Sequence, residues 1–425
     1  MKKLSCVLGL LFMPLVINSL KADQFQPTND TLTLKTEKHP GYGMHSGGFS
    51  KLHLEAIAND DDLLNRIPSD ITDPEFGREY IDFKVWHYGD LKQNAPQYLQ
   101  NFLETWYPEK IDTANLPSVV DNTLKVIIGR KDGQRVFIVD QNNNQDFRDD
   151  PVHELKSISA SVLEPPLQCR YRIYNGHELV EDLGWVFIGQ MTSGTVGVSA
   201  AQHIRSSFTL GNHAYSIEVM NSLPYVRWCF ESPIISITAQ DGIQKDSLLF
   251  SEQLELGEYL ELGGSYYRFA NVANDGSTVT LVREDDISDK IGTQPGFLAP
   301  DFSAVTTSGD SLALNDFHGQ YLLLTNITAC WSKKMSYEYY KELWDDYQSK
   351  MAIIAIDESP NALQVNIDEL GLEGKFIIGK NNPSIKKSYR EDYCSRVCFL
   401  IDPNGRIVDR FEIADWQESL AKHFE

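Results

Sequence analysis

Near its C-terminal end the chain reads Phe399-Leu400-Ile401-Asp402-Pro403-Asn404-Gly405-Arg406-Ile407-Val408. Two apolar runs flank Asp402-Pro403-Asn404-Gly405, whose residue types are those of a tight turn. The pattern predicts a strand over residues 397–401, a turn, and a second strand over residues 406–411. This hairpin is informative about the fold because it ends a longer alternation of strand and helix patterns.

Upstream of the hairpin, apolar runs typical of strands alternate with helix-like spacing. The patterns predict, in order, a strand at 321–326, a helix at 333–348, a strand at 352–356, a helix at 361–370 and, after the hairpin, a terminal helix from Trp416. Alternating β and α elements followed by a hairpin and a helix predict an α/β sheet domain over residues 291–425.

Three segments of this domain resemble the TlpA-like and ResA-like disulfide reductases, which belong with the AhpC/TSA peroxiredoxins (redoxins) in the thioredoxin-fold superfamily. The segments are residues 296–302, 312–324 and 399–408, and they occur in the family's order. The resemblance implies a thioredoxin-like fold for residues 291–425. It also implies thiol–disulfide exchange as the chemistry of the family.

The reductases carry Trp-Cys-x-x-Cys at the start of a helix. The helix N-terminus lowers the pKa of the first thiol, and the second thiol resolves the mixed disulfide. Here Trp331 falls on the family's tryptophan, so Ser332 and Met335 occupy the cysteine positions, while Arg396 falls on the family's cis-proline. Neither a serine without a general base nor a thioether exchanges disulfides. We therefore predict a redox-inactive binding or scaffolding module.

A second hypothesis is a thiol-dependent oxidoreductase or peroxidase that uses Cys330. Lys333 and Lys334 follow this cysteine closely and favour its thiolate. The family's cis-proline loop lies over its cysteine motif, so the resemblance makes Cys394 and Cys398 candidates for the resolving thiol. The competing interpretation of Cys330 is a small buried thiol. The sequence leaves open whether the chain is an enzyme.

The N-terminus has the layout of a secretory signal peptide. Lys2 and Lys3 precede a largely apolar run over residues 4–20, and the small residue Ala22 follows it. This arrangement predicts a signal peptide over residues 1–22 and a periplasmic or secreted mature chain. No later stretch is long and apolar enough to span a membrane, so no transmembrane segment is predicted.

The charge balance bears on the kind of partner. The chain has 60 acidic and 38 basic residues, a net charge of −22. A surface of this sign repels phosphate backbones, and the sequence has no basic stripe that could follow one. We therefore expect no nucleic acid as a partner, and instead expect an unidentified protein of the cell envelope.

The cysteine count is odd once the leader is set aside. Of the six cysteines, Cys6 falls within the predicted signal peptide, which leaves five. In an oxidising compartment an odd number leaves at least one thiol free or paired with another molecule. Cys169 and Cys229 are candidates for a structural bridge in the middle of the chain.

Residues 23–290 are predicted to form two further units. Residues 23–155 combine helix-like spacing around Tyr98 and Phe102 with a strand hairpin, which predicts an α+β region. Residues 156–290 contain short strand-like runs separated by Gly-Gly and Asp-Gly turns, which predicts a β sandwich or meander. The chain is thus predicted to be multidomain, with a β-rich N-terminal region followed by a C-terminal α/β thioredoxin-like fold.

An Asp/Asn-rich loop follows a predicted strand in the first of these units. Oxygen-bearing side chains at alternate positions are what a Ca²⁺ loop presents inward. The candidate ligands are Asp140, Asn142, Asn144 and Asp146, with Asp149 or Asp150 closing the shell.

The loop also departs from an EF-hand. Gln145 replaces the turn glycine, and Pro151 stands where the closing glutamate would be. The alternative interpretation is a polar turn held by Asx-type hydrogen bonds. If Ca²⁺ binds there, the chain could instead be a Ca²⁺-stabilised adhesion or interaction protein in which the β-rich region does the work.

Overall fold

The structure, a computed structural model, describes residues 23–24, 30–45, 47–57, 60–105, 116, 122–221, 227–240, 243–244, 248–327, 335–389 and 397–424. The predicted signal peptide, residues 1–22, lies outside these residues, and so do Cys330, Trp331, Ser332, Cys394 and Arg396. Within the described residues no helix combines the length and the apolar character needed to cross a membrane.

In the first part of the chain, the described residues form nine short strands and three α-helices. The strands are β1 (Asp23–Gln24), β2 (Thr31–Lys35), β3 (Glu37–Pro40), β4 (Ser50–Lys51), β5 (Leu54–Ala56), β6 (Thr72–Tyr80), β7 (Thr123–Lys131), β8 (Gln134–Val139) and β9 (His153–Glu154). The helices are α1 (Asp61–Leu64), α2 (Phe83–Asn94) and α3 (Leu99–Thr105). Strands β5 to β9 form an antiparallel sheet in chain order.

The middle of the chain is almost entirely β. After the short helix α4 (Ile158–Ser161) come β10 (Leu167–Tyr174), β11 (Leu179–Gln190), β12 (Val196–Ala200), β13 (Gln202–Leu210), β14 (His213–Asn221), β15 (Pro233–Gln240), β16 (Ile243–Gln244), β17 (Leu254–Glu255), β18 (Tyr259–Leu262), β19 (Ser265–Val272) and β20 (Thr278–Glu284). The predicted run of strands around the Gly-Gly and Asp-Gly turns is confirmed as β18, β19 and β20.

Strands from the first 51 residues pair across the predicted boundary at residue 155. Strand β2 pairs with β20, β3 pairs with β13, and β4 pairs with β12, all antiparallel. Alternate residues of β2, Leu32 and Leu34, are buried, so one face of this edge strand packs into the core of the middle region. The segment before residue 52 is therefore structurally part of these sheets.

A second core also crosses that boundary. Leu52, Ile81 and Val126 pack in one buried cluster with Tyr171 and Trp228. The indole of Trp228 is fully buried and lies so close to β11 that a Cβ at Gly184 would stand 2.5 Å from it, which explains the glycine there. The two predicted N-terminal units thus share a core.

The C-terminal domain has the predicted alternation of strands and helices. Its elements are β21 (Ser303–Val305), β22 (Ser311–Ala313), β23 (Leu322–Asn326), α5 (Met335–Tyr347), β24 (Ala352–Asp357), α6 (Pro360–Leu370), β25 (Lys375–Ile378), α7 (Pro383–Ser388), β26 (Val397–Ile401), β27 (Ile407–Glu412) and α8 (Trp416–Phe424). The sheet order is β25-β24-β23-β26-β27, with β23, β24 and β25 parallel and the β26–β27 hairpin antiparallel.

The central strands of this sheet are buried on both faces. Leu323 and Leu400 pack against α5, α6 and α8, whereas Leu322, Leu324 and Phe399 face the opposite layer with β21, β22 and α7. Every residue of β23 and β26 is buried, as expected of strands covered on both sides. Because β23 and β24 are parallel neighbours, their carboxyl ends lie side by side at the same end of the sheet.

Candidate functional site

The predicted site lies where β23 ends and α5 begins. The amide of Ile327 donates to the carbonyl of Ile356 at 2.9 Å, so the chain leaves β23 beside the end of β24. Crevices at the carboxyl edge of an open α/β sheet are the usual place for binding and chemistry. Met335 is the first residue of α5 and its side chain is 44% exposed. The Met335 thioether, which the sequence predicts to stand at the second cysteine position, is thus exposed at the start of α5.

Two buried polar side chains join α5 to β24 just behind this position. The Tyr337 hydroxyl donates to Asp357 Oδ2, and Asp357 Oδ1 accepts from the amide of Ser359 at 2.9 Å. Both side chains are buried. Burial raises the pKa of the Asp357 carboxyl, while the hydrogen bonds from Tyr337 and Ser359 oppose that rise. The pair connects the start of α5 to the end of β24.

Sequence reasoning missed this pair. The apolar pattern predicts that the strand ends at residue 356, one residue before Asp357. The available signal was the position of Asp357, an acidic residue directly after an apolar strand, at the edge where parallel strands end. Ser336 was missed too: its Oγ is buried and has no hydrogen-bond partner in the part of the chain that the structure describes.

Cys398 lies in the core of the C-terminal sheet. It belongs to β26, is fully buried, and its Sγ is 3.1 Å from Thr325 Oγ1 on β23. Burial raises the pKa of this thiol to about 12, so it is neutral at physiological pH. Its predicted partner Cys330, like Cys394, lies outside the described residues. The resolving role of Cys398 therefore stays a prediction.

The suggested bridge between Cys169 and Cys229 is wrong, because neither cysteine forms a disulfide. Each is buried in the shared core around Trp228, and the Cys229 thiol donates to Glu231 Oε1 at 3.4 Å. Burial raises the pKa of the Cys169 thiol far above its usual value. These two thiols behave as small core residues.

One group of metal-capable side chains occurs among the described residues: ligand atoms of Asp82, Cys229 and Glu231 lie within 4.8 Å of one another. Asp82 caps α2 by accepting from the amide of Val85 at 3.1 Å, and its Oδ2 accepts from Asn274 at 2.7 Å. These contacts tie the helix start to the β19–β20 turn, so the group has a structural explanation without a metal.

The Asp/Asn-rich loop connects β8 to β9, and the structure draws part of the predicted ligand set together. Asp140 is buried and its oxygens accept the amides of Asn144 and Gln145, each at 3.0 Å. Asp146, in contrast, is turned to Arg148, with 2.7 Å between Asp146 Oδ1 and Arg148 Nε. The Asx-type hydrogen bonds of the alternative interpretation are therefore present, and they do not decide whether a cation binds.

The surroundings of two carboxylates in this loop, Asp140 and Asp150, disfavour their charged forms. Burial, together with the charges of Asp140, Asp149 and Asp146, raises the pKa of the Asp150 carboxyl to about 6. The pKa of Asp140 is raised by burial, against the amides that it accepts and the nearby Lys125.

Each of the following similar proteins matches about 30% of this chain. The thioredoxin-like protein YneN of Bacillus subtilis (strain 168) is 37% identical over 130 residues, which cover 28% of this chain and 72% of that protein. The thioredoxin domain of a thiol-disulfide oxidoreductase from Bacteroides vulgatus is 21% identical, with a TM-score of 0.28, over 31% of this chain and 99% of that one. A thiol:disulfide interchange protein from Bacteroides sp. is 23% identical, with a TM-score of 0.26, over 32% of this chain and 91% of that one. No protein-family profile matches the chain.

Proposed function

Because the chain belongs, through one domain, to the thioredoxin-like proteins, we propose that this domain is a redox-inactive binding or scaffolding module of the thiol–disulfide oxidoreductase type. The observation that carries the proposal is the pair Ser332 and Met335 at the two positions where the family has cysteines. Disulfide exchange needs one sulfur to attack as a thiolate and a second to release the product. A serine and a thioether supply neither.

The environment of the remaining thiols supports the proposal. The three described cysteines, Cys169, Cys229 and Cys398, are all buried. A buried neutral thiol neither reaches a protein disulfide nor attacks it. Catalysis by this chain would therefore have to begin at a thiol outside the described residues, and Cys330, which Lys333 and Lys334 follow closely, is the one to test.

The position of the site favours a protein as the bound partner. Met335 offers an exposed, flexible apolar side chain at the sheet edge where a thioredoxin-like protein meets its substrates, and thioethers adapt well to irregular apolar surfaces. We propose that the partner is another protein of the cell envelope. The predicted signal peptide at residues 1–22 would direct export of this chain to that compartment. N-terminal sequencing of the mature protein tests the export, and Asp23 is the expected first residue.

The decisive experiment measures insulin disulfide reduction and peroxide consumption by the wild type and by Cys330→Ser. We expect both proteins to show rates at or near the buffer rate, because no cysteine pair occupies the motif. Turnover by the wild type that disappears in Cys330→Ser would replace this proposal with the thiol enzyme predicted as the alternative.

A gain-of-function series tests the register of the motif. The double substitution Ser332→Cys with Met335→Cys rebuilds the cysteine pair and is expected to give weak reductase activity, limited by Arg396 in place of the cis-proline. Met335→Cys alone is the matched control, since a single cysteine cannot both attack and resolve. Equal rates for the double and the single variant would contradict the assignment of these two positions.

A further inference from the structure

The loop between β8 and β9 is held in one shape by the core and by its own backbone. Phe147 is fully buried in a cluster with Ile67 and Ile138, which anchors the loop to the sheet. Asn143 and Gln145 have positive φ angles of 57° and 64°, the left-handed conformation found in tight turns. Gln145 thus adopts the left-handed conformation that glycine usually supplies at this place in a calcium loop.

Three oxygen-bearing side chains at alternate positions follow this curl. Asp140 accepts two backbone amides, Asn142 Oδ1 accepts the amide of Asn144 at 3.0 Å, and Asn144 Oδ1 accepts the amide of Asp146 at 2.7 Å. The amide groups of Asn142 and Asn144 both donate to Asp149 Oδ2, at 3.1 and 2.9 Å. The side-chain amides are thereby oriented, with their nitrogens on Asp149 and their oxygens toward the turn.

An independent observation comes from Asp150, near the C-terminal end of the loop. Its side chain is 9% exposed, and Oδ1 accepts the amide of Gln141 at 3.1 Å, so the carboxylate faces the start of the loop. Its Oδ2 is buried and has no hydrogen-bond partner among the described residues. A buried carboxylate oxygen without a donor carries an uncompensated desolvation cost. A cation at the loop would remove that cost.

From this geometry we infer that the loop binds one divalent cation of the calcium class through oxygens of Asp140, Asn142, Asn144, Asp146 and Asp150. Carboxylate and amide oxygens on a flexible loop are the ligands that Ca²⁺ takes, whereas Mg²⁺ demands a smaller, more regular shell. Asp150 supplies the closing carboxylate in place of the glutamate that Pro151 excludes.

Arg148 pairs with one of the proposed ligands, Asp146. Its guanidinium pairs with both oxygens of Asp146, and no three carboxylates of the loop lie within 4.8 Å of one another among the described residues. Binding therefore exchanges the Asp146–Arg148 ion pair for a metal ligand. Arg148 is exposed and can swing into solvent. The Arg148 guanidinium thus competes with the cation for Asp146 and lowers the affinity of the loop for the cation.

The test is calorimetric titration of the full chain, stripped with chelator, with CaCl₂ and separately with MgCl₂. We expect one Ca²⁺ per chain, much weaker Mg²⁺ binding, and a melting temperature that rises with Ca²⁺, because an ion bound only by the folded loop stabilises it. No saturable binding of Ca²⁺, with superimposable melting curves, would overturn the inference.

Three substitutions locate the site. Asp150→Asn is expected to weaken Ca²⁺ binding at least tenfold, and Arg148→Gln, which frees Asp146, is expected to tighten it. Asp61→Asn removes the same charge from the exposed start of α1 and is the matched control. An equal loss in Asp61→Asn and Asp150→Asn would show diffuse charge attraction instead of a site, and unchanged or weaker binding in Arg148→Gln would also contradict the proposed ligand set.

Discussion

Arg410 Nη1 lies 2.7 Å from Glu258 Oε1, and this ion pair fastens the last strand of the C-terminal domain to the β-rich region. Both side chains are largely buried, and the Arg410 Nε also donates to the carbonyl of Ser251 at 2.7 Å. Glu258 Oε1 accepts in addition from Thr293 Oγ1 at 3.1 Å. The guanidinium and the carboxylate are thus satisfied across the contact between the two parts.

Removing one partner of this pair is expected to loosen the contact. Glu258→Ala leaves the Arg410 guanidinium buried without its carboxylate, which costs about 3–5 kcal/mol for a buried pair. In urea unfolding we expect the first transition of the variant to move to lower denaturant concentration. Lys422→Ala, which breaks an exposed pair with Glu418 on α8, is the control and should shift the midpoint little. Equal shifts in the two variants would contradict a special role for Arg410.

The Tyr337–Asp357 pair is expected to stabilise the start of α5. Tyr337→Phe keeps the packing of the ring but leaves Asp357 Oδ2 without its hydroxyl donor, which costs roughly 1–3 kcal/mol for a buried acceptor. Thermal unfolding measures the loss. Tyr339→Phe, on the same helix and only partly buried, is the matched control and should cost less than Tyr337→Phe. A Tyr337→Phe variant as stable as the wild type would mean that the carboxylate finds another donor.

His45 is expected to make the β-rich region sensitive to acid. Burial lowers the pKa of this imidazole from its usual 6.5 to about 4, although the neighbouring Glu218 opposes the shift. As the pH falls, the unfolded chain takes up a proton at His45 near pH 6.5, whereas the folded chain takes it up only near pH 4. The stabilisation is complete above pH 6.5 and declines as the pH falls toward 4, by up to ~3 kcal/mol.

His45→Gln tests this linkage. The variant should show a shallower loss of unfolding free energy between pH 6.5 and pH 4 than the wild type, because no proton is taken up at residue 45. His177→Gln, at an exposed turn, is the control and should keep the wild-type slope. The interpretation fails if the wild type and His45→Gln have parallel stability curves over this range. The lowered pKa of His203 contributes a slope of the same sign to both proteins.

The sequence determined the features that depend on near neighbours. The turn Asp402-Pro403-Asn404-Gly405 and the apolar runs around it predicted the β26–β27 hairpin, because turn chemistry and side-chain alternation act over a few residues. Strand-like runs and the Gly-Gly and Asp-Gly turns between them predicted β18, β19 and β20 in the same way. The prediction that Ser332 and Met335 stand in place of the cysteine pair is likewise a statement about residue identity, which needs no coordinates.

Only the tertiary structure decided which distant segments meet. Leu34 pairs with Val279 across more than half of the chain, and Arg410 finds Glu258 in another part of the molecule, although neither is marked by its neighbours in sequence. The physical reason is that such pairings are chosen by the apolar face that they bury together, and many strands of similar pattern could have served. The unpartnered oxygen of Asp150 belongs to the same class, because burial is a property of the whole fold.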